Sequence, residues 1–372
     1  MKSLTGVASV MEDPSRREAL WSLLSLLTLG IVSCSRQEPS GAATTEPTTS
    51  DAPAATRSTP LLKLTASKSA ALCRIAWVVA QQKGFFAAEG LDVDLLPTDV
   101  DPHAALEHDI PAGRWVNGPN GRMRADLTIV EYPHLPAMAS GSLDYYVVAG
   151  EHSGCRQLVV PIDSPIRALT DLKGKRVGVS ILEQTSMFDY LFRQAGLAPR
   201  DVTWVRFQED LGSNQQLISV KTEFAAGRLD GYLAADPVGE ILKADGLVRH
   251  LASNTWTAPL SGWYCCMIGV RREVLDAHPE VGGAVTRAIR RAASFIEESP
   301  AAAIDLSIQA GQLPKDTRRD LSARLLKEYV WTATGRIQED LERYFQLLIE
   351  DGKVAATASA REFVSRVYRS GE

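Results

Sequence analysis

Five cysteines are the residues of this chain best suited to specific chemistry, and two of them, Cys265 and Cys266, are adjacent. The pair stands in Ser261-Gly-Trp-Tyr-Cys-Cys-Met-Ile-Gly-Val270, where two aromatics lead into a short β-type run. Cys34, Cys73 and Cys155 are the others. Thiolates are soft ligands, so with His134 or His152 they suit a soft metal ion, an organometallic or another thiophilic solute. Two plainer readings stand beside this one: disulfides, and free thiols packed as small hydrophobes. A Cys265–Cys266 bridge is disfavoured because a trans peptide holds their Cα atoms about 3.8 Å apart, below the usual disulfide range. A bridge from Cys73 or Cys155 to one of the pair is the better form. If Tyr264 to Met267 is extended, successive side chains take opposite faces and one thiol of the pair points away from any ligand. The spacing is not C-x-x-C, so neither a zinc ribbon nor a thioredoxin-like motif is indicated.

The elements that carry these residues follow an N-terminus that is not part of the fold. Arg16-Arg17 precede an apolar run from Leu20 to Val32, too short to span a bilayer. Ile31-Val-Ser-Cys34 resembles a bacterial lipobox, which makes residues 1–34 an export signal and Cys34 the lipidated residue. The alternative is an ordinary secretory signal, and the paired arginines leave the export route open. Residues 35–60, rich in Ser, Thr, Ala and Pro, have too few large apolar side chains to form a core and read as a disordered tether. The remainder of the 372 residues, 45% hydrophobic over the whole chain, is enough for two lobes. A net charge of −5 argues against nucleic acid as a partner.

Leu61 to Leu64 reads as a first strand and Ala70 to Val79 as the start of a helix. Leu91, Val93 and Leu95 alternate with Asp92 and Asp94, the period of a strand with one buried face. Residues 99–124 read as an irregular Pro/Gly-rich insertion, with His103 and His108 as solvated loop residues. Strands at 126–130, 145–149 and 158–160 follow, and 160–255 repeats the strand–helix alternation, which predicts mainly parallel sheets covered by helices. From Arg272 onward apolar residues recur at helical spacing, as in Val281, Val285, Ala288, Ile289 and Ala292. Those stripes are packing faces.

Four stretches, in this order, resemble class II solute-binding proteins of ABC importers, of the nitrate, sulfonate, taurine and thiamine-precursor type. They are Lys83-Gly-Phe-Phe-Ala-Ala-Glu-Gly-Leu-Asp-Val-Asp-Leu95, Asp171-Leu-Lys-Gly-Lys-Arg-Val-Gly-Val179, Ala226-Gly-Arg-Leu-Asp-Gly231 with Asp236-Pro237, and His278-Pro-Glu280. The resemblance covers roughly 61–350 and implies an α/β, two-lobed type II fold with a ligand cleft and a helical C-terminal region. Its expected parts are lobe I at 61–158, lobe II at 159–258 and a return to lobe I at 259–372. The insertion at 99–124 departs from the family pattern.

Ligands of such sheets sit beyond the carboxyl ends of strands. This places Cys73, Tyr132, His134, His152, Cys155, Thr185, Ser186, Asp236, Tyr264, Cys265 and Cys266 as ligand-binding candidates, with the cysteines on one wall of the cleft. Thr185 and Ser186 offer a helix N-terminus for an anionic group; Asp236 could equally be a turn residue before proline. The implied function is a lipid-anchored, monomeric receptor that passes a small ligand to an ABC permease and ATPase. No catalytic residue and no resident cofactor are assigned. The alternatives are an organic sulfonate, nitrate or thiamine-precursor-type ligand with the cysteines as disulfides, or an enzyme on the same scaffold, such as a pyrimidine synthase. A sensory or adhesive surface module is a third possibility. P-loop, G-x-S-x-G and H-E-x-x-H motifs are absent from the sequence, so it supports no NTPase, serine-esterase or zincin chemistry.

Overall fold

A computed structural model describes residues 61–69, 71–97, 115–118, 121–179, 185–206, 214–331 and 336–371. The stretches read as export signal and tether, with Cys34, and His103 and His108 in the insertion lie outside the described residues. So do 180–184, the start of the segment that leads to Thr185 and Ser186.

The chain begins with a strand–helix–strand unit. Strands β1 (Leu62–Lys68) and β2 (Leu91–Pro97) pair in parallel from Leu62–Leu91 to Lys68–Pro97. The helix Ile75–Gln82 lies between them, starting five residues later than its expected onset because Leu72–Arg74 forms a tight 3-10 turn. In β2 the leucines and valine are buried and both aspartates exposed, as the alternation requires. The insertion is not wholly irregular: β3 (Trp115–Gly118) and β4 (Gly121–Arg124) pair as an antiparallel hairpin. Next come β5 (Leu127–Glu131) and β6 (Tyr145–Ser153), both wholly or almost wholly buried.

At Gly154–Cys155 the chain leaves this sheet. It enters a second one through β7 (Arg156–Pro161), followed by β8 (Lys175–Val179), β9 (Val202–Arg206), β10 (Gly231–Ala235) and β11 (Val248–Ser253). It then returns as β12 (Tyr264–Arg271), which inserts between β5 and β6, and adds an edge strand, β13 (Val330–Trp331). The sheets have the orders β13-β6-β12-β5-β1-β2 and β11-β7-β10-β8-β9.

Neither sheet is mainly parallel. β7 runs antiparallel to β10 and β11, and β12 antiparallel to β5 and β6. The physical reason is the crossing. β5, β6 and β10 carry their carboxyl ends to the junction, whereas a strand that has just crossed starts at the junction and runs away from it. The junction therefore receives strand ends of both kinds, and with them Cys155, Asp236, Cys265 and Cys266.

Helices complete the core. Val281, Val285, Ala288, Ile289, Ala292 and Ile296 of the helix Glu280–Glu298 are buried against the first sheet, as their spacing predicts, while Phe295 is half-buried. Each fully buried valine or isoleucine of this set contributes roughly 1.5–3 kcal/mol. The helix Ile337–Glu350 packs Leu341, Tyr344 and Phe345 into a second apolar cluster, together with side chains of both sheets. Among the described residues no helix is long and apolar enough to cross a membrane.

Candidate functional site

Four donors converge at the junction. The sulfurs of Cys73, Cys155 and Cys266 and a ring nitrogen of His152 all lie within 4.8 Å of one another. Cys265 joins them, its sulfur 3.1 Å from that of Cys155. All four cysteines are free thiols.

Local backbone irregularity makes this possible. Cys73 sits in the 3-10 turn after β1, and His152 near the end of β6. Cys155 follows Gly154 (φ +100°) and itself has φ +86°, the only left-handed non-glycine among the described residues. Such a backbone costs about 1–3 kcal/mol and is held by the surrounding contacts; the Cys155 carbonyl accepts from the Asp236 amide at 3.1 Å. On β12, Tyr264 faces Ser153 and Cys266 faces His152, so Cys265 is an extra residue. Met267 then faces Gly150, which makes Glu151 an extra residue on β6. The two bulges offset each other as far as Ile268, and a third shift follows between Ile268 and Gly269.

They also break the alternation expected at Tyr264–Met267. Both thiols of the pair reach the cluster, where an unbulged strand would have turned one away.

A buried ion triad lies behind the sulfurs. The Arg74 guanidinium donates to one Glu131 oxygen at 2.6 Å and Arg156 to the other at 3.1 Å. Arg74 follows Cys73, Arg156 follows Cys155, and Glu131 pairs with Cys266 across β5 and β12. Burial alone would raise the Glu131 carboxyl, but the two arginines hold it down at about 2. Hydrogen bonds from Cys155 and Cys266 push the Cys73 thiol well down, and the same neighbours push Cys265 down. Burial pushes Cys155 up, and hydrogen bonding to its sulfur neighbours pushes Cys266 up. Burial works against a charged His152, yet the neighbouring Cys73 sulfur lifts it to about 9.

Other groups here lack partners. Neither oxygen of fully buried Glu151 makes a hydrogen bond of normal geometry, and His152 Nε2 and Asp236 Oδ1 are likewise unpaired. Burial raises Glu151 to about 7, offset somewhat by His152. It raises Asp236 to about 7 as well, although the Tyr329 hydroxyl donates to Asp236 Oδ2 at 2.8 Å. Buried polar atoms are normally satisfied, and these four lie together at the junction.

The cysteines do not form an open wall. Cys73 is 7% exposed, Cys155 2%, and Cys265, Cys266 and His152 are fully buried. Tyr329 closes the site: its ring stacks on His152 (5.1 Å, 12°) while its hydroxyl reaches across to Asp236. A cavity of about 500 Å³ nearby is lined by Glu240, Lys243, His250, Trp256 and Glu328, the last being the residue before Tyr329.

The other candidates make different contacts. Tyr132 stacks on Tyr344 (5.2 Å), whose hydroxyl donates to the Tyr264 carbonyl at 2.5 Å. Tyr264 lays its ring over Gly150, where a Cβ would come within 2.1 Å of it. His134 Nδ1 accepts from the Glu131 amide at 3.0 Å, which supports the triad from below. Thr185 and Ser186 open the helix Ser186–Gln194, but their hydroxyls face Lys353 at 3.2 and 2.5 Å, not sulfur. Sequence reasoning missed Arg74, Glu131, Glu151, Arg156 and Tyr329. A signal for two of them was present: Cys-Arg occurs at both 73–74 and 155–156.

Residues 145–303 match the NMT1/THI5 like family. The chain is 32% identical over 132 residues to a protein of Haemophilus influenzae named for thiamine biosynthesis; the match covers 35% of this chain and 38% of that protein's length. The fold is that of the class II solute-binding proteins. It is similar to the alkanesulfonate-binding protein of Xanthomonas axonopodis pv. citri, with TM-score 0.60 and 18% identity over 84% of this chain and 99% of that one. It is also similar to the periplasmic nitrate-binding protein of Synechocystis PCC 6803, with TM-score 0.62 and 12% identity over 83% and 86%.

Proposed function

We propose that the protein is the exported receptor of an ABC importer, tethered through lipidated Cys34, monomeric, and serving a permease and an ATPase. It takes a small solute at the junction of its two sheets, and that solute is, or contains, a soft thiophilic centre. The observation that carries this reading is the convergence of Cys73, His152, Cys155 and Cys266 within 4.8 Å, on strand ends where such folds take their ligands. The Tyr329–Asp236 contact supports closure over the bound solute, since it links the element before β13 to the end of β10. The fold relatives that bind sulfonate and nitrate support the receptor role; for this chain, three sulfurs and an imidazole favour a soft ligand over an oxyanion.

The test is a thermal-shift and native mass-spectrometry panel on reduced protein, with Cd²⁺, an organomercurial, an alkanesulfonate and nitrate as probes. Binding to the native state alone must raise the melting temperature. Stabilisation by the thiophilic probes, with a matching mass increment, is the expected result. Stabilisation by the sulfonate or nitrate alone would retain the receptor and dismiss the soft ligand.

A further inference from the structure

We infer that Cys155 and Cys265 form a reversible dithiol–disulfide site, and that its oxidation by a small peroxide withdraws Cys155 from the donor cluster and switches solute binding off. The switch rests on the soft-ligand reading above; the pairing does not. The two sulfurs stand 3.1 Å apart, so a closure of about 1 Å brings them to the disulfide bond length of about 2.05 Å. Cys265 lies outside the four donors Cys73, His152, Cys155 and Cys266. A bridge from it to Cys155 therefore removes one donor of four.

Hydrogen bonds fix the backbone of both partners. Buried Asn254 clamps the peptides on either side of Cys155. Its Nδ2 donates to the Gly154 carbonyl at 3.1 Å, and its Oδ1 accepts from the Arg156 amide at 2.7 Å. Across the junction, the Tyr264 amide donates to Asp340 Oδ2 at 3.0 Å, and the Tyr264 carbonyl accepts from the Tyr344 hydroxyl at 2.5 Å. The peptide that leads into Cys265 is thus held as firmly as those around Cys155. A left-handed residue at 155 and a bulge at 265 both depart from regular strand geometry, and together they set these two sulfurs against each other.

Cys155 is 2% exposed and Cys265 fully buried, which favours an oxidant as small as hydrogen peroxide over a bulky disulfide. One sulfur attacks the peroxide; an S–O bond forms, the O–O bond breaks, and a sulfenic acid and one water result. The second sulfur then attacks the first; the S–S bond forms, the S–O bond breaks, and a second water leaves. The two sulfurs lose two electrons, the peroxide gains them, and both thiol protons end in water. A protein exported as proposed meets oxidising surroundings, where such a bridge persists until a thiol reductant opens it.

The test treats reduced full-length protein with one equivalent of hydrogen peroxide, then alkylates it unfolded and maps it by mass spectrometry. The expected product carries a Cys155–Cys265 bridge with Cys73 and Cys266 alkylated, and dithiothreitol reverses it. Loss of even an outer partner costs a metal site about 10–100-fold, so oxidation should lower the Cd²⁺ affinity of wild type by at least about tenfold in chelator competition. Cys265→Ser should show one Cd²⁺ affinity before and after peroxide. If Cys265→Ser does not fold, the wild-type map and affinities decide. No bridge, a bridge between another pair, or irreversible oxidation would overturn the pairing. An unaltered Cd²⁺ affinity in the bridged protein, or a peroxide-sensitive Cys265→Ser, would overturn the switch and leave the soft-ligand reading standing. Reduced wild type that binds no Cd²⁺ would remove that reading and the switch with it, while the map still decides the pairing.

Discussion

Two buried polar groupings invite comparison. At the start of the helix Ser186–Gln194, the Thr185 and Ser186 hydroxyls face the Lys353 ammonium, and Asp189 accepts from the Trp204 indole at 2.8 Å. At the sheet junction, Glu151, His152 and Asp236 keep unpaired atoms within a wholly buried cluster of thiols. Both lie near strand ends and both are rich in ligand-capable side chains. They differ in satisfaction. The first has partners within the chain and reads as architecture; the second holds donors close together without completing their bonds, as the proposed ligand would.

That contrast breaks or sharpens by experiment. The largest effect belongs to Glu131→Gln. Breaking a buried ion pair costs about 3–5 kcal/mol, so its urea midpoint should fall sharply. The same carboxyl sets an acid limb. Its folded pKa of about 2 lies below the ordinary 4.5, so its stabilisation is present above pH 4.5 and is lost as pH falls toward 2. That limb, worth about 3 kcal/mol, should be seen in wild type and vanish in the variant.

Next is Cys266→Ser, which should abolish the Cd²⁺-induced rise in melting temperature. In wild type that rise corresponds to about 2.7 kcal/mol at a hundredfold excess over Kd. Retention of the full rise would return the cluster to mere packing. Tyr329→Phe should cost about 1–3 kcal/mol by leaving Asp236 without its donor, and should speed alkylation of the four thiols, measured by mass spectrometry. An unchanged alkylation rate would show that Tyr329 does not close the site. The smallest effect is Lys353→Met, about 1 kcal/mol in denaturation with the Cd²⁺ response intact. Loss of that response would erase the distinction between the two groupings.

Much of the frame was legible in the chain. Leu91, Val93 and Leu95 announced one face of β2 because period-two alternation needs no tertiary information. The stripe on Glu280–Glu298 was legible for the same reason, at period 3.6. The expectation of mainly parallel sheets failed because strand direction after a crossing depends on where the chain has just been, which no local pattern records. Cys73, His152, Cys155 and Asp236 were found by assigning each to a strand end. Tyr132, Thr185 and Ser186 were assigned by that rule too, and the structure gives them other partners.

By itself, then, the sequence determined the strand–helix alternation, the buried faces of those elements and the delivery of cysteines to strand ends, because these follow from side-chain periodicity and turn chemistry. Tertiary structure alone decided that Cys265 and Cys266 both reach the cluster, through one bulge on β12 and an offsetting one on β6. It alone joined Arg74, Glu131 and Arg156 behind the sulfurs and set Tyr329 over His152. Register shifts, and ion pairs and hydrogen bonds between residues 25 to 93 positions apart, arise from packing of whole elements, which no local pattern in the chain records.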